Sequence, residues 1–152
     1  MKKLLNLMLV IAFAIGFVSC EQTQPSDNKY QEKLVGEWSA KTVKGVLVKD
    51  GVVIQEQSKN IPDGEMYESI VYNFKKDGTL KATIVYANGE EDFEEGTYIV
   101  TGNKLAMYDK DDPNGVEYAE IVDISDKNLV LKLSEPYSLD TEMIMELYLE
   151  KL

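Results

Sequence analysis

The side chains that do most enzyme chemistry are scarce in this chain. It contains no His, and its single thiol is Cys20. Ser–His and Cys–His nucleophile pairs and His-ligated metals are therefore excluded, and so are the usual zinc sites. Carboxylates abound, with 27 Asp and Glu against 16 basic residues. Two of them can serve as acid and base, but at this density no one pair carries information. No enzyme activity, cofactor or metal is expected.

Two acidic stretches stand out. Glu90-Glu91-Asp92-Phe93-Glu94-Glu95 leads into a strand and reads as a charged strand edge that discourages pairing with another chain. Residues 109–115, Asp-Lys-Asp-Asp-Pro-Asn-Gly, have the oxygen content of a calcium loop. Pro113 occupies a ligand place and no Glu stands at the far end, so a solvated hairpin loop is the plainer reading. Tyr72, Tyr86, Tyr98, Tyr108, Tyr118 and Tyr148 all fall in strand-like runs. A tyrosine offers an apolar body and a hydroxyl, which suits a semi-polar pocket. Ordinary β-sheet propensity also explains their number. Tyr72, Phe74, Tyr86 and Tyr98 are the candidates to line a ligand site.

Those residues must be carried by elements, and the chain begins with something else. Met1-Lys2-Lys3 is followed by a run from Leu4 to Val18 that is apolar except for Asn6 and Gly16, then by Ser19-Cys20. Charge, apolar run and small residue, in that order, mark a secretory signal peptide over residues 1–19. The run falls short of the roughly 20 apolar residues of a membrane span. Phe17-Val18-Ser19-Cys20 resembles the lipobox of bacterial lipoproteins. The resemblance implies a diacylglycerol on the Cys20 thiol, cleavage before Cys20 and acylation of its new amine. A lone exported thiol is then used up, and several acyl chains give stable attachment where one is marginal. Residues 20–29 are polar after the Cys, contain Pro25 and Ser26, and read as a flexible tether. The expected location is the cell envelope, in the outer membrane.

The formal charge is −11, and −13 once Lys2 and Lys3 are removed. Such a chain repels phosphate backbones, which excludes nucleic-acid binding. It is also kept off anionic lipid surfaces.

From Tyr30 to Leu152 the chain has the size of one domain. Runs rich in Val, Ile, Tyr, Leu and Thr are separated by Gly and Asx-Gly pairs, the pattern of antiparallel strands joined by tight turns. After a short helical turn over Tyr30–Leu34, strands are predicted at 37–48, 52–57, 67–75, 79–86, 92–100, 104–108, 116–124, 129–134 and 142–149. The longer loops fall at 60–65, 109–115 and 135–141. Period-two alternation gives each of several strands one buried face. Ile70, Tyr72 and Phe74 share a face, as do Leu80, Ala82, Ile84 and Tyr86, then Leu129, Leu131 and Leu133, then Met143, Met145, Leu147 and Leu149. The fold class is all-β. A meander of eight or nine strands tends to close, because closure removes exposed edges. A two-sheet sandwich is the alternative.

Gly36-Glu37-Trp38 opens the first strand. It resembles the Gly-x-Trp signature of lipocalins, and Trp38 is the only Trp. Tyr72-Asn73-Phe74 with Asp77-Gly78-Thr79, Gly96-Thr97-Tyr98 with Gly102-Asn103-Lys104-Leu105, and 121–125 with 129–131 also look like lipocalin-like domains of envelope lipoproteins. The resemblance implies an up-and-down barrel, with Trp38 across its closed base and Gly36 letting the chain pass close by. Two functions follow as alternatives. One is an envelope-anchored module that holds a small apolar or amphipathic ligand. The other is a filled barrel, suggested by the bulky Leu129, Leu131 and Leu133, that serves as a protein-interaction or assembly component of the envelope.

Overall fold

The computed structural model describes residues 28–112 and 114–152. The signal segment, Cys20, most of the tether and Pro113 lie outside the described residues. One helix, α1 (Asn28–Leu34), precedes nine strands: β1 (Gly36–Lys49), β2 (Val52–Asn60), β3 (Tyr67–Phe74), β4 (Thr79–Tyr86), β5 (Glu91–Thr101), β6 (Lys104–Asp109), β7 (Val116–Ile124), β8 (Asn128–Ser138) and β9 (Thr141–Lys151). Helix α1 begins at Asn28, so the last two residues expected in the tether belong to the folded domain.

From β3 to β9 each strand pairs antiparallel with the next, and β9 closes the ring on β1. Eight strands thus form a closed barrel and β2 stands outside the ring; the sandwich alternative is set aside. Two arrangements in β1 produce this. Its Gly36–Ser39 segment pairs with β3, while Thr42–Lys49 pairs with β2 along the same edge. Its other edge pairs with β9 from Trp38 to Lys49, with a register shift between Ala40 and Thr42. Among the described residues, consequently, β2 has one free edge, and the Tyr67–Ile70 half of β3 lacks a neighbour on the β1 side. Every residue of β2 is exposed.

Strands β2 and β8 run well past their apolar patterns. Strand β2 continues to Asn60 because the β1 pairing does, and the Thr42 hydroxyl bonds the Asn60 side chain at 3.2 Å. The loop expected over 135–141 is mostly strand. Glu135 pairs with Met143 and Pro136 with Glu142, and a register shift follows Pro136. Proline cannot donate to a ladder, so it sits where the pairing is irregular. Polar residues carry these extensions, so apolar alternation does not mark them.

The alternating positions converge inside the ring. Leu34, Trp38, Phe74, Leu105 and Leu129 are fully buried, with Ile121, Leu131 and Leu149 nearly so. Outward neighbours such as Tyr118 and Val122 are exposed.

Candidate ligand cavity

The barrel is plugged at one end and hollow at the other. At the plugged end Trp38 is fully buried, and its indole Nε1–H donates to the Leu34 carbonyl at 2.7 Å. That carbonyl belongs to the last turn of α1, where backbone acceptors lack helical partners. The bond ties α1 to the first strand. From β9, the Lys151 ammonium stands 5.1 Å from the Trp38 ring centroid, a cation–π contact. Gly36 has φ +135°, a conformation that side chains resist, and this lets the chain turn from α1 into β1. Phe74 meets Tyr98 edge to face at 5.1 Å, and the Tyr98 hydroxyl donates to the Lys75 carbonyl at 2.7 Å.

At the other end a cavity of about 410 Å³ opens between the strands. This lies within the range of small-molecule sites. Its apolar wall includes Val43, Ile70, Leu80, Ile84, Met107 and Leu147. Two glycines shape the wall. Gly45 on β1 faces open space, with nothing within 4 Å of where a Cβ would lie. Gly96 on β5 is the opposite case, because a Cβ there would come 2.0 Å from the Tyr108 carbonyl oxygen. Only glycine allows β5 to approach β6 so closely.

The loop from β2 to β3 borders the mouth. Ile61 is buried, and its N–H donates to the Lys41 carbonyl at 2.8 Å. Asp63 Oδ1 accepts from the N–H groups of Glu65, Met66 and Tyr67 at 2.9, 2.7 and 2.9 Å. Three amide donors hold its carboxyl down at about 2. Tyr67 and Tyr86 pack with ring centroids 6.0 Å apart.

Carboxyl groups interrupt the apolar wall. Glu94 and Glu117 both line the cavity. Burial pushes the Glu117 carboxyl up to about 7, with the charges of Glu135 and Glu94 adding to the effect. Burial also raises Glu94 and Glu135. Glu117 Oε1 is buried with no hydrogen-bond partner among the described residues.

The four aromatic candidates separate by depth. Tyr72 lines the cavity, and burial raises its hydroxyl pKa. Phe74 and Tyr98 do not line it; they pack edge to face in the buried core that also holds Trp38. Tyr86 packs against Tyr67 and is likewise not a wall residue. Tyr118 and Tyr148 face outward. Parity along a strand separates inside from outside but does not give depth along the barrel axis. Glu117 was missed although it shares parity with the buried Ala119 and Ile121. Gly45 and Asp63 carry no pattern of their own.

In the 109–115 loop the carboxylates bind their own backbone. Asp109 Oδ1 accepts from Asp111 N–H at 2.7 Å and Asp112 Oδ1 from Asn114 N–H at 3.0 Å. Among the described residues no group of three or more His, Cys, Asp or Glu is placed to hold a metal ion.

Comparison with known proteins places this geometry. The chain is similar in structure to a lipocalin-like protein from Bacteroides uniformis, at 16% identity and a TM-score of 0.51, over 79% of this chain and 99% of that one. It is also similar to lobster apocrustacyanin A1, at 10% identity and a TM-score of 0.57, over 83% of this chain and 64% of that one. Apocrustacyanin C1 gives 10% identity and a TM-score of 0.58 with the same coverage. At these identities the likeness concerns the fold alone. Among curated protein sequences none matches. The model of the lipocalin-like domain family matches residues 34–131, from the helix end that Trp38 binds to the core of β8, and the chain belongs to that family.

Proposed function

We propose that this protein is a binding module, tethered to the bacterial envelope through lipid on Cys20, whose barrel holds a small apolar or amphipathic molecule. The carrying observation is the cavity of about 410 Å³ with its wall of Ile70, Leu80, Ile84, Met107 and Leu147. A barrel interior filled by its own side chains would leave no such space. Apolar surface that stays wet in the free protein is the usual source of affinity for apolar ligands.

The test is titration of the purified full-length protein with an uncharged, environment-sensitive fluorescent probe. Saturable binding is expected. In Gly45→Leu the new side chain enters the open space at Gly45, and binding should be lost while the fold persists. Absence of saturable binding by the native protein overturns the reading.

The tether rests on the order Lys2-Lys3, apolar run, Ser19-Cys20. Metabolic labelling with an alkyne fatty acid should tag the native protein and not Cys20→Ala. Outer-membrane placement is part of the proposal, and recovery in the inner-membrane fraction refutes it. One observation favours a second reading, an envelope protein partner. The free edge of β2 carries exposed Val52, Val53 and Ile54, and such an edge accepts an added strand. Pull-down from solubilised envelopes that returns no stoichiometric partner counts against it.

A further inference from the structure

The cavity's charge is one-sided, and that narrows the ligand. Glu117 on β7 and Glu94 on β5 line the same apolar space. Glu135 on β8 lies close enough for its charge to act on Glu117. No Lys forms an ion pair with any of these three among the described residues. Lys59 reaches the cavity, but its ammonium lies 3.2 Å from Glu65 at the rim. Glu95 is likewise engaged, by Lys110 at 3.0 Å. Buried polar atoms in folded proteins nearly always have a partner, and Glu117 Oε1 has none.

An orphan carboxyl oxygen inside an apolar cavity is a place for a donor that the protein itself does not supply. Carboxyls sharing a low-dielectric space repel when ionised, and a cation seated among them relieves that repulsion. An anion placed there would add to it. We propose that the cavity selects an organic cation, a molecule with an apolar body and a protonated amine whose N–H groups bond Glu117 with Glu94 alongside. This rests on the apolar-cavity reading above and sharpens it. The apolar body lies against Ile70, Leu80 and Met107.

The arrangement makes binding depend on pH. The titratable groups that share the cavity with Glu117 are Lys59 on β2, Asp63 in the loop that follows it, Tyr67 and Tyr72 on β3, Glu94 and Glu95 on β5, and Tyr108 and Asp109 on β6, with the charge of Glu135 on β8 also felt. Acidification acts through the carboxyls. It neutralises Glu117, whose carboxyl lies near 7, and the attraction for an ammonium weakens.

The experiment is a three-ligand comparison by calorimetry on the full-length protein, using decylamine, decanol and decanoate at about pH 8. A hydrogen bond to a charged partner contributes about 1.5–3 kcal/mol, so decylamine should bind roughly 10- to 100-fold tighter than decanol. Decanoate should bind most weakly. Glu117→Gln should remove most of the amine advantage, weakening decylamine far more than decanol. Glu94→Gln should act in the same direction with a smaller effect. Lowering the pH to about 5 should weaken decylamine and spare decanol. If decanol binds and decylamine binds no better, cation selection is overturned and the apolar cavity stands. An amine preference that survives both substitutions also overturns it. If none of the three binds, the cavity reading falls as well.

Discussion

The two ends of this barrel are made from the same strands but differ in what their interior holds. At the Trp38 end every inward position is filled, and the polar atoms that enter are matched. The indole N–H meets the Leu34 carbonyl and the Tyr98 hydroxyl meets the Lys75 carbonyl. At the Glu117 end a space of about 410 Å³ remains, and a carboxyl oxygen has no partner. Protein interiors are packed about as densely as organic crystals, so a void is a loss of contacts. An orphan polar atom adds a desolvation cost of about 1–3 kcal/mol. The plugged end therefore supplies the stability that lets the hollow end remain hollow.

The sharpest way to break this contrast is to empty the plug. Trp38→Ala removes the largest fully buried side chain and the tie to α1. It should cost about 3–5 kcal/mol, measured by denaturant unfolding. Met107→Ala in the cavity wall should fall at the low end of the core scale, about 2 kcal/mol, because its surroundings are already incomplete. Equal losses at the two positions would dissolve the distinction. Gly96→Ala probes the boundary between the ends. Its Cβ would meet the Tyr108 carbonyl oxygen, a backbone atom that cannot swing aside. A cost of about 1–3 kcal/mol is expected from overpacking, read as a lower thermal midpoint with β5 and β6 still paired.

Much of this architecture is legible in the residues. Strands β4 and β7 have the bounds that alternation and turn residues assign to them. Trp38 is buried, and the inward set Leu129, Leu131 and Leu133 is buried as its parity requires. What parity does not carry is height along the barrel. Phe74 and Tyr72 are two residues apart on one face of β3, yet one is in the plug and the other in the cavity wall. That difference depends on how far each strand is staggered against its neighbours, a property of the closed ring. The detachment of β2 is equally non-local. It follows from β1 giving only its first four residues to β3. Gly45 and Glu117 become informative only when the empty volume between them is known.

The pH response separates the ends by a different measure. The Glu117 carboxyl is raised from 4.5 to about 7 in the fold, so the folded state holds its proton more tightly than the unfolded chain. Stability contributed by this proton is fully present below about pH 4.5. It is lost as pH rises through about 7 and stays lost above that. At about 1.4 kcal/mol per unit, the upper bound on the change is roughly 3 kcal/mol. Glu117→Gln removes the titration. The variant should match the native protein near pH 4 and exceed it by about 1–3 kcal/mol near pH 8. Parallel stability curves for the two proteins from pH 4 to 8 would mean that Glu117 is solvated rather than held in the cavity.

The smallest expected effect lies at the rim. Asp63 is only half-buried, but its Oδ1 gathers the three amides that shape the loop between β2 and β3. Its carboxyl is lowered from 3.8 to about 2, so its contribution is present above about pH 4 and disappears as pH falls through about 2. Asp63→Ala should lower the unfolding midpoint of the barrel only slightly at neutral pH, because water screens this carboxylate. The change should be local. Hydrogen exchange should speed up at the amides of Glu65, Met66 and Tyr67 and not at Trp38 or Phe74. The loop borders the mouth, so entry and exit of a bound probe should also quicken, with less effect on its equilibrium affinity. If exchange rises throughout the barrel instead, the rim and the plug form one cooperative unit, and the division of labour between the two ends fails.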